Sequence, residues 1–164
     1  HNDASGFTNI TPKIIKDNDG DHGAHWVDFD QDGDLDLALT GASSDGMHHL
    51  LRNEIAEELA QQSLQVVVLD GNGHYTRSGS EVRLYKAGTK QLLGMNIIDT
   101  GSGYNSQNAM PVHFGLRGIN SVDVKVTVMT NAGRKSVLLN NVDPKKYWGR
   151  NLIVKINAAG VRVN

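Results

Sequence analysis

Residues 122–128 read VDVKVTV, with Val at 122, 124, 126 and 128 and Asp123, Lys125 and Thr127 between them. Side chains that alternate apolar and polar every second residue fall on opposite faces of an extended chain, so this stretch reads as a strand with one buried face. Similar runs recur on either side: Leu64–Leu69 (LQVVVL), Glu81–Tyr85 (EVRLY), Leu92–Ile98 (LLGMNII), Ser136–Leu139 and Leu152–Ile156 (LIVKI). Their β-branched content and spacing predict antiparallel strands. Turn-forming residues separate them, at Asp70-Gly71-Asn72-Gly73, Ala87-Gly88, Gly101-Ser102-Gly103, Asn131-Ala132-Gly133 and Asn140-Asn141. The expected fold class is all-β, an antiparallel β-sandwich or barrel.

Working towards the N-terminus, Asn53–Gln62 (NEIAEELAQQ) is the only helical pattern, with Ile55 and Leu59 on one face, and reads as a short connector. Before it, Phe7, Ile10, Trp26-Val27, Leu35–Leu39 and Met47–Leu51 make three or four strands, a small sheet that cannot stand alone. The expected organisation is therefore a small β unit over 1–53, a connector over 54–62 and a β domain over 63–164. At 164 residues the chain is long enough for one working core.

Charge is unevenly placed. The chain carries −2 overall, yet residues 1–58 hold 13 acids against Lys13, Lys16 and Arg52, and residues 59–164 hold 5 acids against 13 bases. The bases are spread thinly, so nucleic acid is set aside as a partner. No apolar run reaches the roughly 18 residues of a membrane span, and membrane insertion is not expected. Cysteine is absent, leaving packing, a metal or association as sources of stability.

The densest acidic stretch is Asp28–Leu37, DFDQDGDLDL. With Asp28 as position 1, Asp30 and Asp32 stand at 3 and 5, Gly33 at 6, Asp34 at 7 and Asp36 at 9. Alternate side chains of such a tight turn converge, and Gly33 permits the bend. An EF-hand needs Glu at position 12, where this chain has Leu39, so a strand-loop-strand form is expected instead. Asp28, Asp30, Asp32 and Asp36 would ligate through side chains and Asp34 through its carbonyl. All-oxygen ligation points to Ca²⁺. In Asp17-Asn18-Asp19-Gly20-Asp21, position 1 would be Ile15, which cannot ligate, so a second ion site there stays an open question.

Phe7-Thr8-Asn9-Ile10-Thr11, Gly23 through Leu37 and Leu51-Arg52-Asn53 together resemble one FG-GAP/VCBS repeat, the calcium-loop blade of integrin-type propellers. The body resembles the ASPIC/UnbV domain. Its marks are Arg77-Ser78-Gly79-Ser80-Glu81-Val82, Gly101-Ser102-Gly103-Tyr104-Asn105-Ser106-Gln107, Val112-His113-Phe114-Gly115-Leu116, Val122-Asp123 to Val128, and Ala132-Gly133. The resemblance implies secretion or display at the cell surface, calcium at the blade loop, and adhesion or ligand binding without catalysis. Two features depart from it: a single repeat is present, and Met129-Thr130 stands where Trp-Pro is expected.

Histidines and aromatic residues offer other candidate sites. His48 and His49 are adjacent on a strand and point to opposite faces, so they do not share an ion, and with His22 and His25 they read as surface or hydrogen-bonded groups. His113 reads as a structural residue bonding locally at a strand end, with Phe114 in the core. His1 would serve a copper site only as a mature terminus. For a ligand face, Tyr104 and Trp148 with the amides of Asn105 and Gln107 have the chemistry of sugar binding. The expected function is that of an extracellular calcium-binding module recognising a glycan or a protein surface. Two alternatives are a structural cap ending a longer propeller and a copper-dependent polysaccharide enzyme using His1.

Overall fold

In the computed structural model, the residues described are 2–16, 21–41, 48–101, 111–157 and 161–163. The chain runs through β1 (Asn2–Asp3), β2 (Gly6–Phe7), α1 (Lys13–Lys16), β3 (Asp21–Val27), β4 (Asp36–Gly41), β5 (His49–Leu51) and α2 (Glu57–Ala60). The body follows with β6 (Ser63–Asp70), β7 (Glu81–Lys86), β8 (Leu92–Ile97), β9 (Val112–Gly115), β10 (Val122–Thr130) and β11 (Gly133–Val142). A 3₁₀ turn over Pro144–Tyr147, then β12 (Leu152–Ile156) and β13 (Val161–Val163), complete it.

Of the all-β sandwich or barrel expected from the alternation, the sandwich is the fold that forms. One four-stranded sheet has the order β11-β10-β7-β8 and the other β13-β12-β6-β9. Their facing sides meet in a single core. Val82 and Leu84 of β7 and Val122, Val124, Val126 and Val128 of β10 face Leu64, Val66 and Val68 of β6, Val112 and Phe114 of β9, and Leu152, Val154 and Ile156 of β12. All are buried, the arrangement in which area removed from water contributes most. At one end the sheets come so close that a Cβ at Gly94 would lie 3.1 Å from the Phe114 ring.

One pairing departs from the antiparallel expectation: β6 and β12 run parallel, Leu152 opposite Val66 through Ile156 opposite Asp70. A parallel pair needs a long crossover, and here it is supplied by everything from β7 to the 3₁₀ turn. Strand β6 is accordingly buried on both faces from Val66 to Leu69, Val67 and Leu69 as well as Val66 and Val68, which is why VVVL is a continuous apolar run.

The N-terminal part is a three-stranded antiparallel sheet, β3-β4-β5. Between it and the body the helix is one turn, Glu57–Ala60, shorter than the Asn53–Gln62 pattern predicts. Ile55 and Leu59 do not form a buried face and are 46% and 42% exposed; Ala60 is the buried residue. So short an element gains little from helix propensity, and tertiary contact at Ala60 decides its position instead.

Candidate metal centre

The turn from β3 into β4 is Asp28–Leu35, and Asp36 opens β4. Its shape follows from backbone donors captured by carboxylates. Asp28 accepts from the Asp32 N–H at 3.1 Å and the Gly33 N–H at 3.0 Å, and Asp32 accepts from the Asp34 N–H at 3.0 Å. These bonds wind the loop inward. Gln31 and Gly33 take left-handed backbone, at φ 60° and 101°. At Gly33 two reasons for glycine coincide: that φ, and the Ala60 carbonyl oxygen, which a Cβ would meet at 2.4 Å.

Asp36 is wholly buried, with 0% of its surface exposed. Its oxygens accept from the Phe29 N–H at 3.2 Å and the Asn53 N–H at 2.8 Å, fastening the start of the loop and the end of β5 to one carboxylate. Arg52 supplies counter-charge, its Nε lying 2.8 Å from Asp30 and its Nη2 3.6 Å from Asp32.

Three of the expected ligands converge. One carboxylate oxygen each from Asp28, Asp30 and Asp36 lies within 4.8 Å of the others, and no other group of three or more metal-ligating side chains forms among the described residues. Asp32 stands outside the trio, engaged by the Asp34 N–H and Arg52. Asp34, expected to contribute only its carbonyl, shows a second feature: its side chain is 4% exposed and both of its oxygens lack a hydrogen-bond partner.

Electrostatics agrees with an anionic cluster short of compensation. Burial pushes the Asp28 carboxyl above its ordinary range against the pull of the Gly33 N–H, and the Asp32 charge adds to the rise. Burial likewise raises Asp34, helped by the charges of Asp32 and Asp36. A hard cation would reverse both effects, and a donor set made only of oxygens suits Ca²⁺ better than softer metals. The residues therefore fit a calcium ion held by Asp28, Asp30 and Asp36.

The loop is also tied to the sandwich. The Gln65 amide of β6 donates to Asp28, and the Trp148 indole N–H donates to the Asp32 carbonyl at 3.4 Å. His113 Nε2 of β9 lies at hydrogen-bond distance, 2.9 Å, from the Gly33 carbonyl. The local bond expected for His113 is thus corrected: its partner is 80 residues away, because β9 is the sheet edge nearest the loop. Gln65 carries no signal in the sequence beyond polarity; Arg52 and Asn53 enter the sequence reading only within the blade-like Leu51-Arg52-Asn53 stretch, which does not reveal their bonds to the loop.

A cavity of about 180 Å³ lies where loop and body meet, lined by Asp28, Gln31, Gln65, Tyr147 and Arg150 among others. Of the expected ligand face, Trp148 lies at this junction, whereas Tyr104, Asn105 and Gln107 lie outside the described residues. So do His1 and Asp17 to Gly20.

No helix among the described residues is long and apolar enough to cross a membrane. No curated protein and no solved structure matches the chain. Residues 72–148, from the turn after β6 to Trp148, match the family model described as ASPIC and UnbV. That stretch spans β7 to β11 and leaves outside it the parallel pair β6 and β12 and the aspartate loop, so the similarity is confined to this part of the sandwich.

Proposed function

We propose that the chain is a non-catalytic, extracellular calcium-binding module whose ion fastens the N-terminal sheet to an ASPIC/UnbV-like sandwich that binds a glycan or a protein surface. The observation that carries this reading is the convergence of Asp28, Asp30 and Asp36 on one point of a loop that Gln65, His113 and Trp148 bind to the body. The buried Asp34 carboxylate beside the trio supports it, since burial and the charges of Asp32 and Asp36 disfavour its ionised form unless a cation is near. The match over residues 72–148 supports the extracellular placement, which the family resemblance implies.

Isothermal calorimetry on EDTA-treated protein tests the reading. One Ca²⁺ per chain should bind, and Asp30→Asn, which changes an exposed ligand without disturbing a backbone bond, should weaken binding by at least about tenfold. Absence of heat and of any thermal stabilisation by Ca²⁺ would remove the calcium reading.

A second reading has its own observation. Phe7, Trp26 and Leu50 of the small sheets are exposed, which favours the alternative that the module ends a row of similar blades. More calcium-loop repeats in the same gene product would support it.

A further inference from the structure

Three separate segments meet at one end of the sandwich: the stretch just after α2, the β9–β10 loop and the 3₁₀ turn before β12. Between them lies a cavity of about 560 Å³ whose walls include Ile119, Pro144 and Trp148, with Glu58, Asn120 and Lys145 at its polar side. That volume is in the range of about 300–1,000 Å³ usual for small-ligand sites. It is concave, whereas a stable protein interface needs roughly 1,200–2,000 Å² of complementary surface.

Trp148 is 51% exposed yet fixed in orientation, because its indole N–H is engaged by the Asp32 carbonyl. A half-exposed indole ring with one edge anchored is a stacking platform already ordered before a ligand arrives. Among the described residues, the side chains of Asn120, Glu58 and Lys145 make no hydrogen bond or ion pair. The Gln61 amide nitrogen gives one of its two N–H groups to Glu57 at 2.7 Å, leaving the other to donate and the carbonyl oxygen to accept. Both ends of the Gln62 amide are engaged by the wall, the nitrogen donating to the Glu58 carbonyl and the oxygen accepting from the Gly118 N–H, which orients it along the wall.

The groups turned to the cavity are thus one anion, one cation and the amides of Asn120 and Gln61, which both donate and accept, beside an apolar wall. Phosphates and carboxylates would meet Glu58, and a wholly apolar ligand would make no use of the polar side. A pyranose ring has C–H bonds on one face and, at its rim, hydroxyls that each donate and accept. We propose that this cavity binds a neutral saccharide, with a sugar ring on Trp148 and its hydroxyls reached by Asn120, Glu58 and Lys145. The proposal rests on reading the chain as a binding module and names the ligand class and the place.

The test uses the full chain carrying Trp26→Phe, which leaves Trp148 as its one tryptophan, in saturating Ca²⁺. Cellotetraose and chitotetraose are titrated while indole emission is followed. At least one should give a saturable change with a dissociation constant of about 1 mM or tighter. Asn120→Ala and Lys145→Ala, both at exposed positions, should each weaken binding about tenfold, the loss of one good hydrogen bond, with unchanged melting temperature. Made in the otherwise unaltered chain and followed by isothermal calorimetry, since they remove the reporting indole, Trp148→Phe should keep binding within a few-fold and Trp148→Ala should abolish it. If neither saccharide alters the emission, or if binding is indifferent to Asn120→Ala and Lys145→Ala, the proposal is overturned. Calcium calorimetry on the same sample keeps the two readings apart: Ca²⁺ binding without saccharide binding overturns this proposal and leaves the calcium module, and saccharide binding without Ca²⁺ binding does the reverse.

Discussion

At Asp70, four groups gather on one carboxylate: the N–H of His74 at 2.9 Å, the N–H of Asn72 at 2.9 Å, the Thr76 hydroxyl at 3.0 Å and, at 3.5 Å, the His74 ring. The His74 N–H foremost, with the Thr76 hydroxyl and Asn72 N–H, draws its pKa down to about 2. A carboxyl whose folded pKa lies below its unfolded value contributes stability above the unfolded pKa and loses it as pH falls through the folded one. Denaturation midpoints should therefore drop between about pH 4 and pH 2, and Asp70→Asn should flatten that slope, which urea titrations at several acid pH values would show. Gly33 makes a sharper case. Gly33→Ala forces a side chain into left-handed backbone and against the Ala60 carbonyl, and should cost more than about 2 kcal/mol by chemical denaturation. The sequence marks Gly33 as the bend of the loop. It does not mark the contact with Ala60, because no local pattern records what the loop will rest on.

Among the elements, β10 decides the sheet. It pairs antiparallel with β7 and with β11, and its register with β11 shifts between Val122 and Val124. Asp123 sits at that irregularity, buried, accepting from the Asn141 N–H and the Gly88 N–H, each at 2.9 Å. It thereby ties both neighbouring strands to the centre. Alternation in VDVKVTV predicts Asp123 as a polar residue on the outer face; the bulge and the β7–β8 turn bury it. Asp123→Ala removes the buried acceptor of two part-buried backbone N–H groups and should cost roughly 1–3 kcal/mol in a urea or guanidinium titration, with no change in Ca²⁺ affinity at the aspartate loop. The same limit applies to β6 and β12. Each is plain as a strand, but periodicity says nothing about partner or direction, and their parallel pairing follows from how the chain crosses over.

For the molecule as a whole, the small sheet and the sandwich are joined by a few polar contacts around an acidic loop, not by a shared apolar core. Stability of that joint should depend on the ion. A ligand present at about 100 times its dissociation constant stabilises by about 2.7 kcal/mol, so scanning calorimetry should show the melting temperature rise with Ca²⁺ and fall with EDTA. The change should appear first in protease sensitivity around residues 28–36, with the sandwich core the last to open. A uniform loss of protection across both parts would mean that the loop is not the weak joint.

The sequence by itself determined the strands, the sandwich class and the spacing of acids in the loop, because alternation, turn chemistry and ligand spacing are local and each residue carries its share of the signal. Only the tertiary structure decided that β6 and β12 pair in parallel, that Ile55 and Leu59 stay exposed, that His113 reaches Gly33, and that Trp148 is both the anchor of the loop and the wall of a cavity. Those outcomes join residues from about 30 to more than 110 positions apart. Their physical cause is the burial of one core, which brings such residues together without leaving any trace in the local pattern of either.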